Sequence, residues 1–515
     1  MTKTGAEALV STLANNGITH CFANPGTSEM HLVQALDKEP RIKSVLCLFE
    51  GVATGAADGF ARISGYPAMT LLHLGAGFGN GIANIHNAMK GFVPMINVIG
   101  DHATYHRKYE APLTCDLETL IKPHSSYIGV VESALEGGEI AAAAFNAAIN
   151  EPNSPVSIIL PADSAWNEGG IDGPKINAKT PSIIEASILD DAINAIKSAN
   201  KPVLLIGGKA LYDDASLENM ARLKEYGLRI MIDTFPARLK RGAGIFAPDR
   251  MQYFGEMALD DLKDVDLIVI AGTQIPVAFF AYPNKPSVLV PENCATFMLS
   301  ERYENTKEAL EQLVRILNAP IASNAKTTKT IERPNGKLNP FTCAQSLARL
   351  MPENSIISDD AVTAGLPNYI ATQDAAKHDW LFLTGGAIGQ GLPVALGAQM
   401  ADMKRKVFAL SGDGASMYTI QSLWTMAREN LPIVTIIFAN RNYRILNIEM
   451  ARTGAGDTGQ TANQMLSLEN PNMDFVKIAE GFGVNSISVS TCEDFDKALE
   501  NAIKDNKPWL IEAII

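Results

Sequence analysis

The chain reads as an α/β protein built from three doubly wound parallel-sheet domains, and three observations predict this. Short apolar runs alternate with stretches of helical periodicity along the 515 residues, the signature of βαβ units. Two polar, turn-rich stretches, 167–181 and 319–340, interrupt the alternation and read as linkers. They leave segments of about 170, 140 and 180 residues, ordinary domain sizes. The expected domains are therefore 1–170, 182–320 and 338–515.

In the first segment the runs expected as strands are His20 to Ala23, Val45 to Phe49, Ala68 to Leu72, Met95 to Ile99 and Val156 to Leu160. In the middle they are Val203 to Ile206, Arg229 to Ile232, Leu267 to Ala271 and Ser287 to Val290. In the last they are Ser355 to Ser358, Val407 to Leu410, Val434 to Phe438 and Trp509 to Ile514. A faint internal repeat relates Gly77 to Ile82 with Ala387 to Leu392: each reads as a Gly-rich turn that follows a strand and opens an Ala-rich helix.

Composition narrows the function. A hydrophobic content of 47% with 19% charged residues describes a well-buried globular protein. A net charge of −13 argues against a nucleic-acid binder, which needs a basic face, while leaving room for a local anion pocket. The six cysteines are scattered without CxxC spacing, so neither a zinc site nor a disulfide framework is signalled. Reduced, mostly buried thiols in a cytoplasmic protein are expected. The N-terminus opens on a helical pattern, Ala6, Leu9, Val10 and Leu13, rather than a signal peptide. No apolar run approaches the ~20 residues of a membrane span.

The most informative motif is Gly412-Asp413-Gly414 with Asn440. Each polar residue stands at the end of an apolar run, with a helical stretch between them. In a parallel sheet those strand ends lie side by side, where ligands bind. A carboxylate, an amide oxygen and a backbone carbonyl suit Mg²⁺, which is usually completed by phosphates. A plain turn, with Asp capping the next helix, is the competing reading.

Glu50 directly follows its apolar run and precedes the small-residue helix from Gly51. It either complements the helix dipole or is a positioned catalytic acid. Asn24-Pro25-Gly26-Thr27-Ser28-Glu29 is a βα turn that carries a capping box or presents backbone groups to a ligand. His73 leads into the Gly-rich 75–81, and His102 and His106 follow the next run; three of the eight histidines thus cluster after adjacent strands. Neither Gly-rich stretch has GxGxxG order and no P-loop occurs, so a nicotinamide or ATP enzyme is not supported.

Together these pieces resemble the thiamine diphosphate enzymes of the benzoylformate decarboxylase and acetolactate synthase group. The matching motifs are NPGTSE (24–29), FEGVATGAADGFAR (49–62), LHLGAGFGNG (72–81), GGAIGQGLPVALGA (385–398) and GDG (412–414) with Asn440. The resemblance implies a pyrimidine-binding N-terminal domain, a central domain and a diphosphate- and Mg²⁺-binding C-terminal domain. It implies Mg²⁺ bound by Asp413, Asn440 and the carbonyl of Asn442, and diphosphate met by Gly414 and Ala415 N–H groups. Tyr443 would adjoin this site. Ile388 would wedge under the cofactor, and the Gly386 carbonyl would accept from its aminopyrimidine. Glu50, from a partner subunit, would bond the far ring nitrogen, with Asn24, Pro25, Gly26 and Asn80 lining that side. His73, and less directly His102, would steer or protonate intermediates.

The implied reaction is 2-oxo acid decarboxylation or carboligation through a cofactor ylid and enamine. An aldehyde is a second candidate substrate, and a homodimer or homotetramer with sites at the subunit interface is implied. The alternatives are an acetolactate-synthase-like condensation of two 2-oxo acids and a catalytically silent cofactor-binding subunit. Three departures stand out. Ala439 replaces the first Asn of the usual pair, Thr27 replaces a serine, and 272–286 lacks the central-domain His of the decarboxylase. No flavin signature is found in 201–213 or 265–282, so FAD is not expected.

Overall fold

The computed structural model describes residues 2–322, 331–454, 456 and 458–515. Residue 1, residues 323–330 of the second linker, and residues 455 and 457 of the third segment lie outside the described residues.

Three parallel sheets carry the chain, as the alternation predicts. The first has the spatial order Lys43–Leu46, His20–Ala23, Ala68–Leu72, Met95–Asp101, Pro155–Pro161, Ile128–Val130, with every pairing parallel. The second runs Asp249–Arg250, Arg229–Ile232, Pro202–Ile206, Leu267–Ala271, Ala295–Ser300. The third runs Arg238–Arg241, His378–Leu381, Ser355–Asp360, Val407–Gly412, Val434–Ala439, Trp509–Ile514, Asn485–Val489.

The departures from the expected strands have physical reasons. The apolar run ending at Phe49 is longer than its strand, because Phe49 is already the extended N-cap of the helix Glu50–Ser64. Ser287 to Val290 is not a strand: Val288 makes only an isolated bridge to Val277, and the edge strand is Ala295–Ser300, whose mixed burial hides it from a search for apolar runs. Arg238–Arg241, four residues with three cations, leaves the middle segment to pair antiparallel with His378–Leu381. Its Arg238 is neutralised by Asp379, 2.7 Å away, which also accepts from Arg405 at 2.6 Å. Charge pairing rather than an apolar pattern makes this edge.

Gly75 to Gly81 is also not a turn. It lies inside the helix Leu74–Lys90, and its glycines permit close packing: a Cβ on Gly81 would sit 2.9 Å from Thr54 Cγ2. Only in the second half of the proposed repeat, Ala387 to Leu392, does a turn, 384–390, open a helix, Gly391–Ala401.

The first and third sheets share one apolar core, in which Val52, Ala56 and Phe60 pack with Val394, Val407 and Leu423. The contact is the helix Glu50–Ser64 against Gly391–Ala401. At its end the buried pair Asp58–Arg62, 2.6 Å apart, is satisfied across the junction, as Arg62 donates to the Phe382 carbonyl at 2.6 Å and to Gln390 Oε1 at 3.2 Å. This bond network anchors the 384–390 turn, which carries two of the residues singled out above, Gly386 and Ile388.

Candidate active site

Two groups of side chains form at the C-terminal ends of the first and third sheets. In the first group, Glu50 opens its helix and is buried, and its Oε2 accepts from Asn80 Nδ2 at 3.0 Å. His73 ends the neighbouring strand as N-cap of Leu74–Lys90. Its Nδ1 lies 2.8 Å from Glu29 Oε2, and the same carboxylate oxygen accepts the Gly26 N–H at 2.7 Å. A Cβ on Gly26 would fall 2.2 Å from the His73 ring, so the turn residue must be glycine for the imidazole to sit there. Asn24 and Pro25, both half-buried, lead into this turn. Leu74, buried beside His73, holds φ 48°, a strained conformation of the kind that collects at functional turns.

In the second group, Asp413 is the first residue of the short helix Asp413–Ser416 and is buried. Burial raises its carboxyl above the usual range, while the N–H groups of Arg441, 2.6 Å away, and Gly414, at 2.9 Å, pull it back. Asn440 Oδ1 accepts the Asn442 N–H at 2.9 Å. The Asp413 carboxylate therefore ties the 440–442 loop to the helix start. Arg441, between the two asparagines, takes φ 58°. Tyr443 lies against Gly414, where a Cβ would be 2.3 Å from its ring. Ala415 is buried behind them, and Ile388 and Gly386 are half-buried on the facing turn.

Among the described residues, no hydrogen bond or ion pair joins the Glu50 group to the Asp413 group within the chain. Among the described residues, no hydrogen bond joins the His102 side chain to His73 or Glu50. Its ring lies 5.4 Å from that of His106, and its Nε2 is buried without a partner. No cluster of three or more His, Cys, Asp or Glu suited to a metal occurs among the described residues, so a cation site here would rest on one carboxylate plus amide and carbonyl oxygens. A cavity of about 400 Å³ lies elsewhere, at the ends of the central strands beside Gly207, Asp233, Thr273 and Arg302.

Three residues escaped the sequence reading of the site. Glu29 was visible only as the acid of a capping box, yet it holds His73. Asp360 was missed because its strand runs two residues past the apolar Ser355 to Ser358; an acid pair after an apolar run was the available signal. Phe279, whose ring end would be 2.5 Å from a Cβ on Gly386, comes from an irregular segment that carries no periodic signal.

The chain is a thiamine pyrophosphate-dependent enzyme by family. Residues 3–120 match the N-terminal, and 368–513 the C-terminal, thiamine pyrophosphate-binding domain of that family. The chain belongs to this family: it is 44% identical over 515 residues to IlvX of Mycobacterium tuberculosis, a name that assigns that protein provisionally to the acetolactate synthase large subunits, with 99% of each chain covered. Benzoylformate decarboxylase of Pseudomonas aeruginosa is 26% identical, covering 99% of this chain and 98% of that one. In fold, the chain is similar to the thiamine diphosphate-dependent 4-hydroxybenzoylformate decarboxylase of Rhodococcus jostii, with a TM-score of 0.87, 24% identity and 99% of each chain covered. No helix among the described residues is long and apolar enough to cross a membrane.

Proposed function

We propose that the protein is a Mg²⁺- and thiamine diphosphate-dependent C–C lyase or carboligase acting on a 2-oxo acid. The observation that carries this is the pair of strand-end groups: a hard-oxygen set at Asp413, Asn440 and Asn442, and a buried acid, Glu50, beside His73. The donor set fits Mg²⁺, which takes oxygen ligands and is completed by substrate or cofactor phosphates. Gly414 and Ala415, in the turn opened by Asp413, are the backbone groups this reading gives to a diphosphate. When bound, the cofactor supplies a nucleophilic carbon and an electron sink.

In this reading Asp413, Asn440 and the Asn442 carbonyl hold the metal, Gly414 and Ala415 meet the diphosphate, and Tyr443 packs beside them. Glu50 orients the far side of the aminopyrimidine, with Asn24, Pro25, Gly26 and Asn80 around it. His73 moves a proton at the reacting carbon. By likeness to the family, this reading puts the working site between protomers, in a homodimer or homotetramer. The three domains are 1–170, 182–320 and 338–515, and the six unpaired cysteines support a cytoplasmic setting.

A second reading, condensation of two 2-oxo acids as in an acetolactate synthase, is favoured by the name of the 44% identical relative. A panel of 2-oxo acids, assayed with Mg²⁺ and thiamine diphosphate for CO₂ and condensed products, tests both. Pyruvate giving aldehyde supports the first and acetolactate the second. No turnover of any acid, with the cofactor bound, would sink both.

A further inference from the structure

Asp360 is a buried acid that the reading above leaves without a task. It ends the strand Ser355–Asp360, in register with Ser411 of the strand that runs into Gly412-Asp413-Gly414. Its Oδ2 accepts the N–H of Gly389 at 2.7 Å and of Gly391 at 3.2 Å. Its Oδ1 is buried without a partner. Burial, reinforced by the neighbouring Asp359, pushes this carboxyl up to about 7. A buried polar atom left unpaired costs stability, so the arrangement calls for a compensating use.

The Gly389 N–H belongs to the peptide unit that joins Ile388 to Gly389. Asp360 thus fixes the plane that follows Ile388. From the other side, Thr419 Oγ1 donates to the Gly389 carbonyl at 2.7 Å. Ser358 Oγ donates to the Gly391 carbonyl at 2.8 Å. Gly389 holds φ 97°, and a Cβ on it would lie 2.6 Å from Tyr418 Cβ. Thr419 and Tyr418 follow directly on the helix opened by Asp413. The turn is therefore pinned on one face by the strand end and on the other by the segment after the proposed diphosphate loop.

We propose that Asp360 is a positioning residue: through the Ile388–Gly389 peptide it sets the Ile388 side chain, and with Thr419 it couples that setting to the Asp413 loop. The inference rests on the thiamine diphosphate reading above. Holding a reactive group close to its productive geometry is worth orders of magnitude in rate, and small displacements of Ile388 would be felt at the cofactor. A clamp that merely closes the turn is the competing explanation, and it would show in thermal stability alone.

The test uses the full-length holo-protein, as wild type, Asp360→Ala, Asp360→Asn and Thr419→Val, at saturating Mg²⁺ and thiamine diphosphate. The readout is the exchange rate of the bound cofactor's thiazolium C2 proton in D₂O, measured by NMR after acid quench, alongside the cofactor Kd. Asp360→Ala is expected to slow exchange by about tenfold or more. Asp360→Asn, which keeps an acceptor for both N–H groups, should restore most of that loss. Exchange at the wild-type rate in Asp360→Ala overturns the proposal, whatever its melting temperature. If Asp360→Ala does not fold, Thr419→Val carries the same expectation at about threefold or more, and wild-type exchange there overturns it. Wild-type protein that binds no thiamine diphosphate would instead overturn the underlying reading.

Discussion

His73 Nδ1 approaches both oxygens of Glu29, at 2.8 and 3.1 Å. A carboxylate only accepts, so Nδ1 carries the hydrogen and Nε2 is left for another partner. Glu29 itself is buried, and it also binds the Gly26 N–H at 2.7 Å. One acid thus fixes both the ring's tautomer and the turn beneath it. Replacing Glu29 by Gln substitutes a donor for one acceptor oxygen and frees the ring to turn. Turnover of the preferred 2-oxo acid should fall by about tenfold, and His73→Ala should cost about a hundredfold. Cofactor Kd should stay within about twofold in both, because neither residue belongs to the diphosphate side. Steady-state kinetics with a cofactor titration reads all three numbers; an equal loss of kcat and cofactor affinity would remove His73 from the chemistry.

Glu50 accepts from Asn80 at 3.0 Å at the mouth of its helix. Glu50→Gln preserves size and that bond and removes the acid. Turnover is expected to drop by about 10² to 10³, the range of a lost general acid or base. Far-UV dichroism should be unchanged. Turnover at half the wild-type rate would assign Glu50 to helix-dipole compensation alone.

Most of the strands were legible because parallel sheets buried on both faces write themselves as apolar runs. What could not be read was made by something else. Arg238–Arg241 pairs through charges, and the 75–81 glycines serve helix packing although glycine usually marks a turn. The site divided the same way. Asp413, Asn440, Glu50 and His73 follow apolar runs and were visible by position. Asp360 and Phe279 act from a strand that outlasts its apolar pattern and from an irregular segment, and only three-dimensional contact brings them to the 384–390 turn.

Asp360 also predicts a pH dependence. Its carboxyl is raised from 3.8 to about 7, chiefly by burial. Between those values the folded protein holds a proton that the unfolded chain has lost. The stability this contributes is complete below about pH 4 and is lost as pH rises through about 7. Melting temperature should therefore decline from pH 5 to pH 8, and Asp360→Asn should flatten the decline. At pH 8 that variant is expected to melt about 2–4 °C higher than wild type, as checked by calorimetry across the series. A slope unchanged by the substitution would place the titration elsewhere.

The junction of the first and third sheets makes the last prediction. A Cβ on Gly59 would lie 2.0 Å from the Val394 carbonyl oxygen, and one on Gly397 would lie 1.8 Å from that of Ala56. Both obstacles are backbone, on two helices packed into one core, so neither can move aside as a side-chain tip could. In an isolated helix, alanine for glycine would stabilise by about 1 kcal/mol. Here overpacking should win, with a net loss of about 2–3 kcal/mol for either substitution. Because the helix Glu50–Ser64 starts at Glu50 and the 384–390 turn precedes Gly391, forcing the helices apart also displaces Glu50 and Ile388 from their places in the proposed site. Gly397→Ala should therefore lose turnover at temperatures where calorimetry still finds it folded. Melting that rises on substitution would mean the helices do not meet as closely as described.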